Sequence, residues 1–228
     1  MNESKPAEFA GFPVEMFSFY ERLEADNSKA FWQANKPVFD EAVRAPTAAL
    51  LAELAPVYGE FHTFRPHRDV RFSKDKTPYK TSTGSVAESE GGTMFYVETS
   101  ASGLRTGAGF YSMAKDQLER FRNAADDDHR GRDLAKRCAA MEKRGYTLGA
   151  IGELKTAPRG FPKDHPRIEL IRRKGLIVMQ HWEIEAWVHT REVKQRLTST
   201  WKSMAPVYEW LETHVGPSEL APEEAGRW

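Results

Sequence analysis

Phe95-Tyr96-Val97-Glu98 and, a few residues on, Leu104-Arg105-Thr106-Gly107-Ala108-Gly109-Phe110-Tyr111 decide the fold class. Phe95 and Val97 alternate with Tyr96 and Glu98. In the second run Leu104, Thr106, Ala108 and Phe110 alternate with Arg105, Gly107, Gly109 and Tyr111. A period of two puts successive side chains on opposite faces of a strand, so both runs read as antiparallel strands with both faces partly covered. Gly91, Gly92 and Gly103 stand where hairpin turns are needed, which predicts a meander over roughly 83–111. Gly107 and Gly109 fall inside a strand, where a missing side chain signals a bulge or the close approach of another backbone or a ligand.

On either side of this segment the period lengthens. Phe17, Tyr20 and Leu23 recur at helical spacing, and Asn27-Ser28 caps a following helix through Phe31, Trp32 and Asn35. Pro37 and Pro46 are expected in the first turns of successive helices, where a missing amide hydrogen costs nothing. Leu118 and Phe121, then Leu134, Cys138 and Met141, predict helices over about 114–145 with Gly145 as the stop. Leu176-Ile177-Val178-Met179 has the length and β-branched content of another strand of the sheet. From about Thr190 to His214, Val193, Leu197, Trp201, Met204, Tyr208 and Leu211 form one stripe of a long helix, which Pro206 should kink or split. The expectation is a single α+β domain over 1–228. An antiparallel sheet of about four to six strands lies mid-chain, packed by N-terminal and C-terminal helices, with a frayed tail over 216–228.

The totals exclude several classes. With 33 basic and 33 acidic residues among 228, net charge is zero, so bulk electrostatics favour neither nucleic acid nor an acidic surface. One cysteine, Cys138, permits no internal disulfide and no CxxC motif, which suits a reducing, cytoplasmic compartment; its helical position suggests a buried, inert thiol. No stretch of eighteen apolar residues predicts a membrane span, and the first residues carry no basic-then-apolar leader. No pair among the seven histidines has HxxxH or HExxH spacing, so neither a metal site nor a metal cofactor is expected. Asp126-Asp127-Asp128 reads as a helix end and an N-cap, since consecutive carboxylates on a helix point apart. GxGxxG, GxxxxGK[ST] and GxSxG are all missing, and no organic cofactor is expected. The tryptophans read most simply as packing residues.

Charge is nevertheless segregated. Between Phe64 and Thr81, Arg65, Arg68, Arg71, Lys74, Lys76 and Lys80 oppose only Asp69 and Asp75, six against two. Between Lys155 and Lys174, seven basic residues, Arg159 and Arg167 among them, oppose Asp164 and Glu169. Asp164 is placed as the N-cap of a short helix through Ile171. Guanidinium forks and ammonium points of this density suit phosphate or carboxylate, but equally suit a solvated loop whose arginines pair with the protein's own acids.

With Phe31-Trp32-Gln33-Ala34-Asn35-Lys36, these stretches resemble the uncharacterised family called domain of unknown function 2461. The likeness runs through Arg65-Pro66-His67-Arg68-Asp69-Val70-Arg71-Phe72-Ser73-Lys74-Asp75-Lys76, Pro78-Tyr79-Lys80-Thr81, Gly91-Gly92, and the Leu104 to Tyr111 strand. It ends with Ala157-Pro158-Arg159-Gly160-Phe161-Pro162 and His165-Pro166-Arg167-Ile168-Glu169-Leu170. It covers about 12–190 and implies no activity to carry over. From the residues themselves, the leading expectation is a small anionic ligand, phosphorylated or carboxylated, held by Arg68, Arg71, Lys74, Lys76, Lys80, Arg159 and Arg167. If chemistry occurs, Tyr79 and His165 are candidate proton donors. Asp69 or Glu169 would orient them, or act as a base if burial raises the pKa. A nucleic-acid module, or an interaction protein for an acidic partner, would use the same charges; zero net charge and the lack of a nucleic-acid motif weigh against the former.

Overall fold

The alternating runs become strands in the computed structural model, which describes residues 8–69, 71 and 75–221. Strands β2 (Ser82–Glu88), β3 (Met94–Ser100) and β4 (Gly103–Phe110) form the meander, with β1 (His62–Thr63) before it. Strands β5 (Thr147–Gly149) and β6 (Leu176–Trp182) follow, and the sheet order is β1-β2-β3-β4-β6-β5. Pairing is antiparallel, with His62 opposite Val86 at one edge and Leu148 opposite Val178 at the other. Gly109 answers the question its position raised. Its φ is +143°, and a Cβ there would lie 2.5 Å from the Leu176 carbonyl oxygen and 2.8 Å from Ile177 Cα. The neighbour that excludes a side chain is therefore the backbone of β6.

Helices α1 (Val14–Ala25), α2 (Lys29–Val38) and α3 (Ala45–Tyr58) account for the first segment. The Ser28 hydroxyl accepts from the Phe31 amide at 3.1 Å, as a cap should. Pro37 departs from its expected place in a first turn. It lies near the end of α2, and the chain continues through a π-helical turn, Phe39–Arg44, straight into α3. The Ala45 amide reaches back five residues to the Asp40 carbonyl, and this widened turn accommodates two prolines without ending the helix. Pro46 does stand in the first turn of α3.

Asp126 ends α4 (Lys115–Asp126), and Asp127 caps α5 (Asp128–Lys143) by accepting from the His129 and Arg130 amides. The short helix α6 (Ile168–Ile171) begins later than the Asp164 cap predicts. The His165 ring supplies the reason: its Nδ1 accepts the Arg167 amide at 3.0 Å, so turns replace the expected first helical turn. Helix α7 (Glu192–His214) runs through Pro206 without splitting. The apolar stripe from Trp201 through Leu211 is buried on both sides of the proline, and that packing outweighs the lost hydrogen bond. No helix among the described residues is long and apolar enough to cross a membrane.

The chain gathers into two compact units, each made of separate segments. One comprises residues up to 87 with 96–106 and 181–199; the other comprises 88–95, 107–180 and 200 onward. In the first, Phe19, Tyr20, Trp32 and Phe39 form an aromatic cluster, and the Tyr20 hydroxyl meets Thr99 Oγ1 at 3.1 Å. Burial pushes that phenol up to about 12. In the second, Phe95 packs on Trp201 and Tyr208, and the buried Cys138 thiol is likewise pushed up to about 12. The expected fraying at Gly216 does not begin there. Gln117 donates to the Gly216 carbonyl, Arg120 to those of Val215 and Pro217, and Asp116 accepts from Ser218 and Glu219. Residues 222–228 lie outside the described ones.

A pH dependence follows from Glu53. It accepts from Lys194 Nζ and from the Phe9 amide, both at 2.9 Å, and these bonds hold its carboxyl below the usual 4.5. A lowered folded-state pKa means that this contribution is complete above the unfolded value and is lost as pH falls through the folded one. Thermal unfolding between pH 3 and 6 should show the midpoint falling below about pH 4.5. Glu53→Gln should flatten that fall; an unchanged profile would remove Glu53 from the account.

Candidate functional site

The first basic stretch is a hairpin in the first unit that extends the β1–β2 pairing. Phe64 donates its amide to the Gly84 carbonyl at 2.9 Å, Lys80 to Pro66 at 2.8 Å, and Arg68 to Pro78 at 2.9 Å. Its returning arm is anchored at Tyr79. The phenol stacks on Trp32 of α2 with ring centroids 4.3 Å apart and planes 10° apart, and the His67 ring lies 5.1 Å away. Asn27 brackets the same residue's backbone, accepting from its amide and donating to its carbonyl, each at 3.0 Å. Asn27, read from sequence as part of a helix cap, thus holds the hairpin.

Arg71 and Arg68 each pair with an acid of the hairpin itself. Arg71 forks onto Asp69, with 3.0 and 2.7 Å contacts, and these bonds pull the exposed Asp69 carboxyl down to about 2. A carboxylate so stabilised is a poor general base. Arg68 pairs with Asp75, which is also capped by the Thr77 amide and hydroxyl. Lys76 is exposed, and Lys74 lies outside the described residues. Lys80 differs from these. It is half-buried, its Nζ sits 5.2 Å over the Phe64 ring, and neither it nor Arg65 forms an ion pair among the described residues. Loss of water, then the charges of Arg65 and Arg68, lower the Lys80 pKa. Arg68 Nε is itself buried without a hydrogen-bond partner among the described residues.

Beside this corner, one face of β2, β3 and β4 carries a polar group that charge counting missed. Glu98 Oε2 accepts from the Tyr96 hydroxyl at 2.6 Å and from Ser82 Oγ at 3.2 Å, while Arg105 approaches Oε1 at 3.6 Å. The alternation that identified β3 already put Tyr96 and Glu98 on one face, and that was the available signal. Their partners come from other strands, which no local pattern names.

The second basic stretch belongs to the other unit, and its members are engaged differently. Arg167 is buried, 8% exposed, and its guanidinium closes the end of α4. Nε donates to the Ala125 carbonyl and Nη2 to that of Asp126, both at 2.7 Å. With its Nδ1 accepting, His165 meets Asp126 Oδ1 through Nε2 at 3.1 Å. Glu169 is exposed and pairs with Arg172, and Arg159 is exposed on the turn at Gly160. Asp69 and Tyr79 therefore lie in one unit, and His165 and Glu169 in the other. A shallow depression along α5, bordered by Asp128, His129, Arg132, Asp133 and Lys136, draws all its walls from one exposed helix face and gathers no chemistry. No group of three or more His, Cys, Asp or Glu among the described residues could hold a metal ion.

An α+β protein with a basic hairpin beside a polar sheet face is the class these features define. The chain belongs to the family described as conserved hypothetical protein, DUF2461, whose sequence model matches residues 15–210. No curated protein matches it.

Proposed function

We propose that this protein binds the phosphate or carboxylate of a small molecule at the corner formed by Arg65, Arg68 and Lys80 over the Phe64 ring. The observation that carries the reading is Lys80: a half-buried ammonium, crowded by two like charges, without a carboxylate partner among the described residues. An arriving anion would relieve both the repulsion and the lost hydration that lower its pKa, so the corner gains from a ligand what a solvated lysine would not. Arg71 and Arg167 leave this ligand set because their guanidiniums are committed to Asp69 and to the end of α4; Arg68, paired with Asp75, adds its charge to the corner through its nearness to Lys80, and no catalytic step is assigned there. The buried free thiol of Cys138 suits a cytoplasmic setting.

Thermal unfolding with inorganic phosphate, citrate and short oligonucleotides tests the reading. Ligand at about 100 times Kd should add ~2.7 kcal/mol, or roughly 8 °C for a chain of this size. Lys80→Met, which keeps the stem over Phe64, should lose the phosphate response, and Lys76→Ala should keep it. A response to oligonucleotides alone, falling steeply with salt, would favour a nucleic-acid interface instead. No response to any anion would leave the corner a bare surface feature.

A further inference from the structure

Residues 150–167 join β5 to α6 with no helix or strand of their own. A connection of more than about 15 residues without regular structure is uncommon in a compact unit, and a well-anchored one is usually a binding loop. This one is pinned at both ends. At its start the Ile151 amide donates to the Tyr111 carbonyl at 2.7 Å, Leu154 to Arg172 at 2.8 Å, and Lys174 to Gly152 at 2.9 Å. At its end His165 and Arg167 grip the last residues of α4. Between the pins the Phe161 amide turns back to the Pro158 carbonyl at 3.2 Å.

The basic residues of the stretch sort by these pins. Arg167 is committed to the Ala125 and Asp126 carbonyls, and Arg172 to the Leu154 carbonyl, Glu153 and Glu169. Arg173 buries its Nε. Lys155, Arg159, Lys163 and Lys174 remain, all exposed, and none of their side chains forms an ion pair or hydrogen bond among the described residues. Pro158 and Pro162 stiffen the span that carries three of them, so docking it costs little entropy. Apolar surface lies beside these cations. Tyr111 is 40% exposed and Ile151 46% exposed, and the 2.7 Å backbone bond joins the two residues. Lys174 sits between the same two runs of chain, its carbonyl accepting the Met113 amide at 3.0 Å while its amide reaches Gly152.

We infer that this loop, with Tyr111 and Ile151, docks an acidic segment of a partner protein, one carrying an apolar residue among its Asp or Glu residues. Charge complementarity selects an anionic occupant, since four bare cations stand together in a chain of zero net charge. Ile151 selects its kind. An aliphatic side chain gains nothing from a phosphate backbone, whereas an apolar side chain of a peptide would cover it. A symmetric pairing of two copies through this surface would set its lysines against themselves. The surface lies wholly in the second unit, so it stands or falls apart from the anion corner.

Selection of a random phage-displayed peptide library on the full chain tests the inference. Enriched peptides should combine acidic residues with Leu, Ile, Val or Phe. The tightest of them, labelled and titrated by fluorescence anisotropy, should lose about tenfold in affinity to Lys155→Glu and to Lys163→Glu, and about fivefold to Ile151→Ser. Lys76→Glu, the same charge reversal in the first unit, should leave the affinity unchanged. All four positions are exposed, so the variants keep the fold. An empty selection, peptides without acidic residues, or binding that survives Lys155→Glu and Lys163→Glu overturns the inference. A single-stranded oligonucleotide that binds tighter than the selected peptides and is lost in the same variants would give the surface to nucleic acid. A dimer in sedimentation that Ile151→Ser abolishes would give it to a second copy; either result also overturns the peptide reading.

Discussion

Trp32→Ala should lower the stability of the fold by about 4 kcal/mol, roughly 12 °C in unfolding midpoint. Trp32 is 6% exposed, lies 4.8 Å from Phe39 and 6.0 Å from Phe19, and stacks on Tyr79. Truncation removes a large buried surface and leaves a cavity that the rigid helix α2 cannot close. The loss should be larger than packing alone suggests for the hairpin, because Tyr79 is its anchor. Phosphate binding at Lys80, the next residue, should therefore weaken in the variant at temperatures where the rest of the chain is folded. Trp32→Phe keeps part of the stack and should cost about 1–2 kcal/mol. Urea unfolding followed by circular dichroism reads both; a loss under 1 kcal/mol for Trp32→Ala would mean that the stack does not hold the hairpin.

Arg167→Ala should cost about 3 kcal/mol and leave anion binding in the first unit untouched. The guanidinium satisfies two backbone carbonyls at the end of α4, and removing it strands them behind a residue that is nearly fully buried. Arg167→Lys cannot reach both carbonyls in one plane and should recover only part of the loss. The packing is tight enough that a Cβ at Gly131 would come 2.6 Å from Arg167 Nε. Equilibrium unfolding and a phosphate titration on the same variant separate the roles. Unchanged stability with lost phosphate binding would return Arg167 to the ligand set.

These two residues mark where sequence reading succeeded and where it stopped. Trp32 was legible as a packing residue, because a large aromatic at helical spacing has few other uses. Its partner was not, since Tyr79 is 47 positions away along the chain. Arg167 was legible as a positive charge in a dense basic stretch and took its place among the ligand residues on that ground. Charge density carries no information about burial, and a guanidinium that caps a helix counts the same as one that faces solvent. Arg71 and Arg68 make the same point at short range, for their acids Asp69 and Asp75 were in view, but which pairs form depends on how the hairpin turns.

Local periodicity was enough for the elements that depend on near neighbours. The strands β2 to β4, their glycine turns, the caps at Ser28 and Asp127, the joining of β6 to the sheet and family membership could all be read from runs of a few residues. Backbone sterics and side-chain alternation act over that distance. The order of six strands, the passage of α7 through Pro206, the docking of residues 215–219 on α4, the seating of Lys80 over Phe64 and the meeting of Ser82 with Glu98 required the folded chain. Each joins groups far apart in sequence, and their free energies come from burial and charge proximity in three dimensions, to which a linear pattern is blind.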